Sequence, residues 1–501
     1  MKHILLLGAG KSATVLIDYL KLLADEKNWN ITVADGSLEN AKSKTGSHKN
    51  VNPVEINIEN ATARKQLIAS ADIVISLMPP NLHYLVALDC IEFSKNLLTA
   101  SYIDEQTKAL AQQAKEKGIL FLYEMGLDPG IDHMSAMQII HQIKKQGGKI
   151  TNFRSHCGGL VAPESDNNPW HYKISWNPRN VVMAGKAGAI FLENSIVKNI
   201  AYEQLFNLEN TVELPNAETL AFYPNRDSLS YIDIYELQEI KSFVRTTLRH
   251  PEFCFGWKNI VDLKLTNEDK IYDTNEMTIA QFFKFHFDKN GFNNWLDNML
   301  MTRLNTAKET LEKLMQLMEA EENAIEEGET PEQTIMMVDD AGKLNTIDVE
   351  EVKDTAAEQV AISMNEANLS LKQLVYLGMD DDETQINLGI CSAADVLQFI
   401  LEKKLVLNKD DKDMIVMLHE FEYELNGKTK TLKSLLRVIG ENNLHTAMAK
   451  TVGLPLGIAA ELILEQKINE TGLHIPILPS IYEPVLLQLA KHNIVFQETE
   501  C

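Results

Sequence analysis

The 501-residue chain has little cysteine. Its five residues of this type are Cys90, Cys157, Cys254, Cys391 and Cys501. They are odd in number, widely spaced and never in a C-x-x-C pair, which argues against a disulfide framework or a zinc site. A reducing compartment fits best. Positive charge is also scarce: 47 Lys and Arg stand against 71 Asp and Glu, a formal net charge of −24. That balance argues against a nucleic-acid or anionic-membrane partner, although it leaves room for a local basic pocket. Long apolar runs are missing. Ile4 to Leu7 is too short for a signal-peptide core, and no run approaches the ~18–20 residues that span a bilayer. The expectation is a cytoplasmic protein with neither a nucleic-acid nor a membrane partner. Hydrophobic residues at 45% and charged residues at 24% are ordinary globular usage, and the length allows two to four domains.

The N-terminal third reads as a dinucleotide-binding unit. The apolar run HILLL, suited to a buried parallel strand, leads directly into GAGKSA, Gly8 to Ala13. A stretch apolar at helical spacing follows. This is the strand–turn–helix order that a G-x-G-x-x-A fingerprint requires. Gly8 permits the turn, Gly10 lets a pyrophosphate approach the backbone, and Ala13 lets the helix pack close. Lys11 and Ser12 lie at the helix N-terminus, whose free N–H groups face the phosphates. A second strand, NITVAD, ends at Asp35. An acid there accepts from the adenosine ribose hydroxyls and repels a 2′-phosphate. No Arg follows closely, and Lys42 and Lys44 are the nearest cations, so Asp35 favours NAD over NADP.

Further strands read at residues 50–58, Ala71–Pro80, Leu97–Ile103 and Gly118–Gly126. Their alternation with helices predicts an α/β fold with a Rossmann-type doubly wound parallel sheet. Ligand belongs over the carboxyl ends of those strands, where Ser76, Leu77 and Ser101 lie. The run EMGLDPGIDHM follows, with a DPG turn and with Asp132 and His133 in the first turn of a helix.

Several motifs together carry a family resemblance. They are GAGKSA, VISLMPPNLH, TASYID, EMGLDPGIDHM, CGGLVAPESDNNPWHYKISWNP, YPNRDS, RTTLRH, KDMIVMLH and AMAKTVGLPLGIAAELIL. In this order and spacing the chain resembles the glutamate-forming saccharopine dehydrogenases, also called saccharopine reductases. The resemblance covers nearly the whole chain apart from a central acidic stretch. It implies three parts. Residues 1–130 form the dinucleotide domain, with about 446–501 packing back on it. Residues 131–285 and 411–445 form an α/β substrate domain that pairs with its twin in a homodimer. Residues 286–410 form a helical domain that closes the cleft and contains an insertion at about 305–361. The implied reaction interconverts saccharopine with L-glutamate and L-2-aminoadipate 6-semialdehyde, using NAD or NADP.

Saccharopine carries three carboxylates and an ammonium group, so its site needs cations. Arg226 and Arg249 can each present a bidentate fork. Thr247 and Asn168 are neutral partners for carboxylate oxygens, and Asp128 suits the ammonium. The resemblance places Ser101 and Tyr102 near the nicotinamide, and Cys157 against the substrate as a lining residue. Gly158 and Gly159 beside it suggest close approach of a ligand to the backbone. The general base stays open among Asp128, Lys173, Tyr172 and His133, with Asp128 and Lys173 named first. No metal is expected, because Asp380 to Glu383 lacks a cation-loop spacing.

The stretch from Glu319 to Val360 holds fourteen acids against Lys343 and Lys353, half the net charge of the chain. It reads as a solvated, surface-exposed insertion. Two other functions compete. One is a carboxynorspermidine-type reductive-condensation dehydrogenase, which the two arginines disfavour. The other is a silent nicotinamide-binding sensor, which would have lost the cleft residues.

Overall fold

A computed structural model describes residues 1–207, 210–215, 217–326, 334–338 and 344–500. Cys501 and part of the acidic stretch lie outside the described residues. The chain divides into two compact units. One comprises 1–167, 171–254 and 405–501, the other 168–170 and 255–404.

The first unit begins with β1 (His3–Leu7), four of whose five residues are buried. β2 (Asn30–Asp35), β3 (Val51–Glu55), β4 (Ile73–Ser76), β5 (Asn96–Thr99) and β6 (Leu120–Leu122) follow. With strand Gly472–His474 they form a seven-stranded parallel sheet, ordered Gly472–His474, β6, β5, β4, β1, β2, β3. The order reverses direction at β1, which puts a crevice at the carboxyl ends of β1 and β4.

The C-terminal segment completes this layer. Helix Ala447–Leu464 lies on helix Thr14–Lys27, where Gly453 sits against Leu16 and Gly457 against Tyr19. Lys27 binds Glu461 at 2.6 Å across that seam. Ala447–Leu464 is long and apolar enough to cross a membrane, contrary to the sequence expectation that no run is. Its most apolar window is 78% buried inside the protein, so its apolarity is used for packing. Its N-terminus is held by Asp413, which accepts from the amides of Ala447 at 2.6 Å and Met448 at 3.0 Å.

The second sheet of this unit is mixed and has ten strands. β7 (Lys149–Val161) lies at its centre, parallel to strand Ser242–Arg249 and antiparallel to Asp413–Leu425. Asp413–Leu425 and Lys428–Ile439 form a hairpin.

The other unit is mainly helical. It starts at Phe255, inside helix Pro251–Asp262, and not at the expected 286. Residues 255–285 pack with the helical elements: Asn259 bonds Ser370 at 3.2 Å, and Arg303 stacks over Phe255 at 4.9 Å. Trp170 joins them, with its ring 6.3 Å from Trp257. Much of the acidic stretch is regular structure. Helices Trp295–Glu326 and Val349–Tyr376 run into it from both sides, and strands Thr334–Val338 and Leu344–Asp348 pair there.

Asp413→Ala leaves two buried amides of Ala447–Leu464 without a partner. It should cost about 2 kcal/mol and lower the Tm by roughly 3–5 °C. An unchanged melting curve would remove Asp413 from this role.

Candidate active site

The cofactor half is built at the switch point of the first sheet. Gly8 has φ of 102°, and a Cβ there would meet the Leu77 carbonyl oxygen at 2.9 Å. The loops after β1 and β4 touch at this point, and only glycine allows it. Gly10 differs: its φ is an ordinary −67°, and nothing lies within 4 Å of a Cβ built on it. Open space over bare backbone, in front of a 3-10 turn at Lys11–Ala13 and helix Thr14–Lys27, suits a pyrophosphate. Ala13 is buried against the sheet.

Asp35 closes the far side. Its Oδ2 accepts from the Ala9 amide at 2.7 Å and its Oδ1 from the Ser37 amide at 2.9 Å. The carboxylate therefore braces the glycine loop. Lys44, in helix Leu38–Thr45, donates to the Gly10 carbonyl. Burial lowers its pKa to about 8, with Asp35 and Asp18 opposing. Lys44 thus comes to the loop, a placement its sequence position left open.

At the ends of β4 and β5 one histidine ties two hydroxyls together. His83 is buried; its Nδ1 lies 2.9 Å from Ser76 Oγ and its Nε2 2.8 Å from Ser101 Oγ. Burial lowers its pKa to about 4, so the ring is neutral and each nitrogen serves one serine. Ser76 and Ser101 are thereby brought together; Leu77 donates its amide to Leu7. His83 ends the VISLMPPNLH motif, but it carried no role in the sequence, because nothing local shows that it joins two serines from different strand ends.

The other half of the candidate site lies where the loop after β6 meets strand Ser242–Arg249. Strand alternation sends Arg245, Thr247 and Arg249 to one face. Cys157 of β7 and Tyr223 both pair with Thr247 and share that face. Arg245 Nη2 binds Asp128 Oδ1 at 2.6 Å and Asp132 Oδ2 at 2.8 Å, and its guanidinium lies 4.4 Å over Tyr231. Burial first, then Asp132, raise Asp128 to about 6, with Arg245 opposing. Asp132 is held low despite its burial by His133 and Arg245. His133 in turn bonds Glu124 at 2.8 Å and Tyr235 at 2.6 Å, and Tyr231 donates to Glu124 at 3.0 Å. Glu124, Tyr231 and Tyr102 line a cavity of about 380 Å³.

Arg249 is only 4% exposed. It lies 5.2 Å over Tyr172 and 5.3 Å over Phe253, its Nη1 donates to the Leu248 carbonyl at 2.8 Å, and its Nε has no partner. Among the described residues no carboxylate pairs with it. Arg226 stacks over Tyr102 at 5.3 Å. Oδ1 of the neighbouring Asp227 accepts instead from the amides of Leu229 at 2.8 Å and Ser230 at 3.2 Å.

Two expectations are corrected, and Asn168 is placed. Lys173 is buried and ion-paired to Asp411 at 2.7 Å, so it fastens the 171–177 segment to the 405–412 turn and is no free base. Asn168 belongs to the helical unit, where its Oδ1 accepts the Trp170 amide at 3.0 Å. Gly158 serves packing: a Cβ there would strike the Leu248 carbonyl oxygen at 2.6 Å, and one on Gly159 would meet Met448. Burial pushes the Cys157 thiol well up, which leaves it a neutral lining group.

The family model for the saccharopine dehydrogenase NADP binding domain matches residues 4–122, and that for the saccharopine dehydrogenase C-terminal domain matches 126–364 and 360–495. The chain belongs to the saccharopine dehydrogenase family. It is 29% identical over 502 residues to "Saccharopine dehydrogenase [NADP(+), L-glutamate-forming]" of Pyricularia oryzae, covering 99% of this chain and 98% of that one. It is 30% identical to the alpha-aminoadipic semialdehyde synthase of Arabidopsis thaliana, of which it spans 44%. The solved apo saccharopine dehydrogenase (L-Glu forming) of Saccharomyces cerevisiae superposes with a TM-score of 0.78 at 26% identity over the whole of both chains. Within the family, then, the first sheet is the nicotinamide-dinucleotide layer. The fungal relatives are named for NADP(+), which runs against the NAD preference read from Asp35.

The two glycines should respond oppositely. Gly10→Val fills empty space, so the Tm should stay within roughly 1–2 °C while dinucleotide affinity, read by reduced-nicotinamide fluorescence, falls at least about tenfold. Gly8→Ala should instead unfold the loop and lower the Tm. Full cofactor affinity in Gly10→Val would displace the pyrophosphate from this loop.

Proposed function

We propose that this chain is an NAD(P)-dependent saccharopine dehydrogenase of the L-glutamate-forming type, interconverting saccharopine with L-glutamate and L-2-aminoadipate 6-semialdehyde. The observation that carries the reading is Arg249, a buried guanidinium without a carboxylate partner among the described residues, on one sheet face with Thr247 and Cys157. Burying such a charge unpaired is costly, and a carboxylate ligand satisfies it. Arg226, free of Asp227, supplies a second cation for a ligand with several carboxylates. The multi-carboxylate demand also separates this reading from carboxynorspermidine-type chemistry.

Gly8, Gly10, Ser76 and Ser101 would hold the cofactor, which supplies hydride exchange with the carbon on the lysine side of the secondary amine. The chain's own residues manage charge and protons. Arg226, Arg249 and Thr247 fix the carboxylates. Asp128, poised near pH 6, takes the amine proton so that the nitrogen lone pair can assist hydride departure. The resulting substrate imine is then hydrolysed by water, and one proton is released overall. Tyr102 stays a neutral donor, because burial raises its phenol.

On the cofactor, Asp35 favours NAD: a 2′-phosphate would meet its carboxylate. The names of the relatives and the nearby Lys44 favour NADP. A homodimer formed through the substrate domain belongs to the same reading. So does a reducing cytoplasmic setting, supported by four free buried cysteines, and so does the lack of nucleic-acid or membrane partners.

Purified protein given saccharopine and NAD or NADP should form reduced nicotinamide and glutamate in equal amounts. In Arg249→Gln the saccharopine KM should rise roughly 10–100-fold with cofactor affinity unchanged. Absence of turnover with both cofactors would end the proposal, and a tenfold preference for NADP would end the use of Asp35.

The pH profile tests Asp128. Its carboxylate is the active form in saccharopine oxidation, so kcat/KM should fall about tenfold per unit below pH about 6. Asp128→Asn should lower the plateau and abolish that limb. An intact acid limb in the variant would move the base elsewhere.

A further inference from the structure

Helices Trp295–Glu326 and Val349–Tyr376 pack side by side, antiparallel, as a hairpin. The seam between them has a heptad rhythm: Arg303, Ala307, Thr310, Leu314 and Leu317 on one helix, and Ala356, Val360, Ser363, Ala367, Ser370 and Leu374 on the other, all wholly or partly buried. Steps of 4 and 3 assign these to positions d and a. The ion pair Arg303–Glu366 fixes their register.

A second heptad rhythm runs one residue further along each helix. On the first it comprises Met301, Leu304, Lys308, Leu311, Met315 and Met318; on the second Ala357, Ala361, Met364, Asn368, Leu371 and Val375. All are exposed; Met301 is 57%, Met315 59% and Met364 55% accessible. These are positions b and e in both helices. In an antiparallel pair, the e positions of the two helices flank the same side of the seam. The two stripes therefore merge into one largely apolar face, interrupted by Lys308 and Asn368. The opposite flank, at position g, is polar, with Thr306, Lys313, Gln359 and Glu366.

We propose that this face docks on the same face of a second copy of the chain, forming an antiparallel four-helix bundle. A second copy turned about a two-fold axis meets this face with the same b and e spacing, so the pairing is isologous. Met301 to Met318 spans about 26 Å, and two helices about 10 Å apart give a face about 20 Å wide. Two such faces bury about 1,000 Å² in total, the lower bound of a specific interface, so association is concentration-dependent. Charge permits it as well. Over 301–318 and 357–375 four cations stand against four acids, so the face is close to neutral, whereas the acidic excess lies beyond, toward the hairpin tip. The proposal is independent of the catalytic reading.

The test is the solution mass of the full chain by light scattering, from about 1 to about 100 μM. Expected is a concentration-dependent doubling that Leu311→Glu/Met315→Glu abolishes, that Met364→Glu abolishes from the other helix, and that Thr306→Glu on the polar flank leaves intact. A wild-type mass that does not change with concentration overturns the proposal even if a variant fails to fold. A doubling that survives both apolar-face variants overturns it too. Co-sedimentation with phosphatidylcholine vesicles that Met364→Glu loses, without any doubling, would assign the face to a lipid surface and overturn self-docking.

Discussion

The ion cluster around Arg245 is the constraint on which the rest depends. Its guanidinium joins Asp128 and Asp132, at the exit of the parallel sheet, to a strand of the mixed sheet. Removing one member of such a buried cluster leaves an uncompensated charge and costs about 3–5 kcal/mol. The two sheets of the first unit are therefore fastened to each other through this cluster. The same contact sets the chemistry. His133, Arg245 and the Gly130 amide hold Asp132 low, whereas burial, opposed by Arg245, raises Asp128 to about 6.

Two different treatments of polar groups follow around this cluster. On the cofactor side, groups are saturated: His83 uses both nitrogens on Ser76 and Ser101, and Asp35 uses both oxygens on backbone amides. On the substrate side, Arg249 is left open and Arg226 escapes its neighbouring acid. A saturated half holds its geometry without ligand. An unsaturated half favours whatever brings carboxylates.

The parallel sheet, the glycine loop and the family were legible in the residues, because each rests on local order: strand, turn and helix in sequence. Arg226, Arg249, Asp128 and Thr247 were also legible as candidates, since charge and the motifs around them mark them. Pairing was not. Lys173 looks in sequence like a free cation between tryptophans, yet Asp411, more than two hundred residues away, takes its charge. Gly158 and Gly159 look like a ligand approach and are instead sites where strand and helix crowd together. His83 and Glu124 stand at the ends of motifs without a role of their own and Tyr231 lies outside them; all three gain a role only through contacts of the fold.

The small store of cysteine and positive charge, the dinucleotide fingerprint and the order of motifs were determined by sequence alone, because composition and short-range spacing need no third dimension. The acidity could likewise be located in one central stretch. Only tertiary structure decided which arginine is paired and which is open, and that Asp128 sits near pH 6. It also decided that the helices flanking the acidic stretch expose a shared apolar face. Charge matching and burial depend on distances between segments far apart in the chain, and those distances exist only once the sheets and helices have packed.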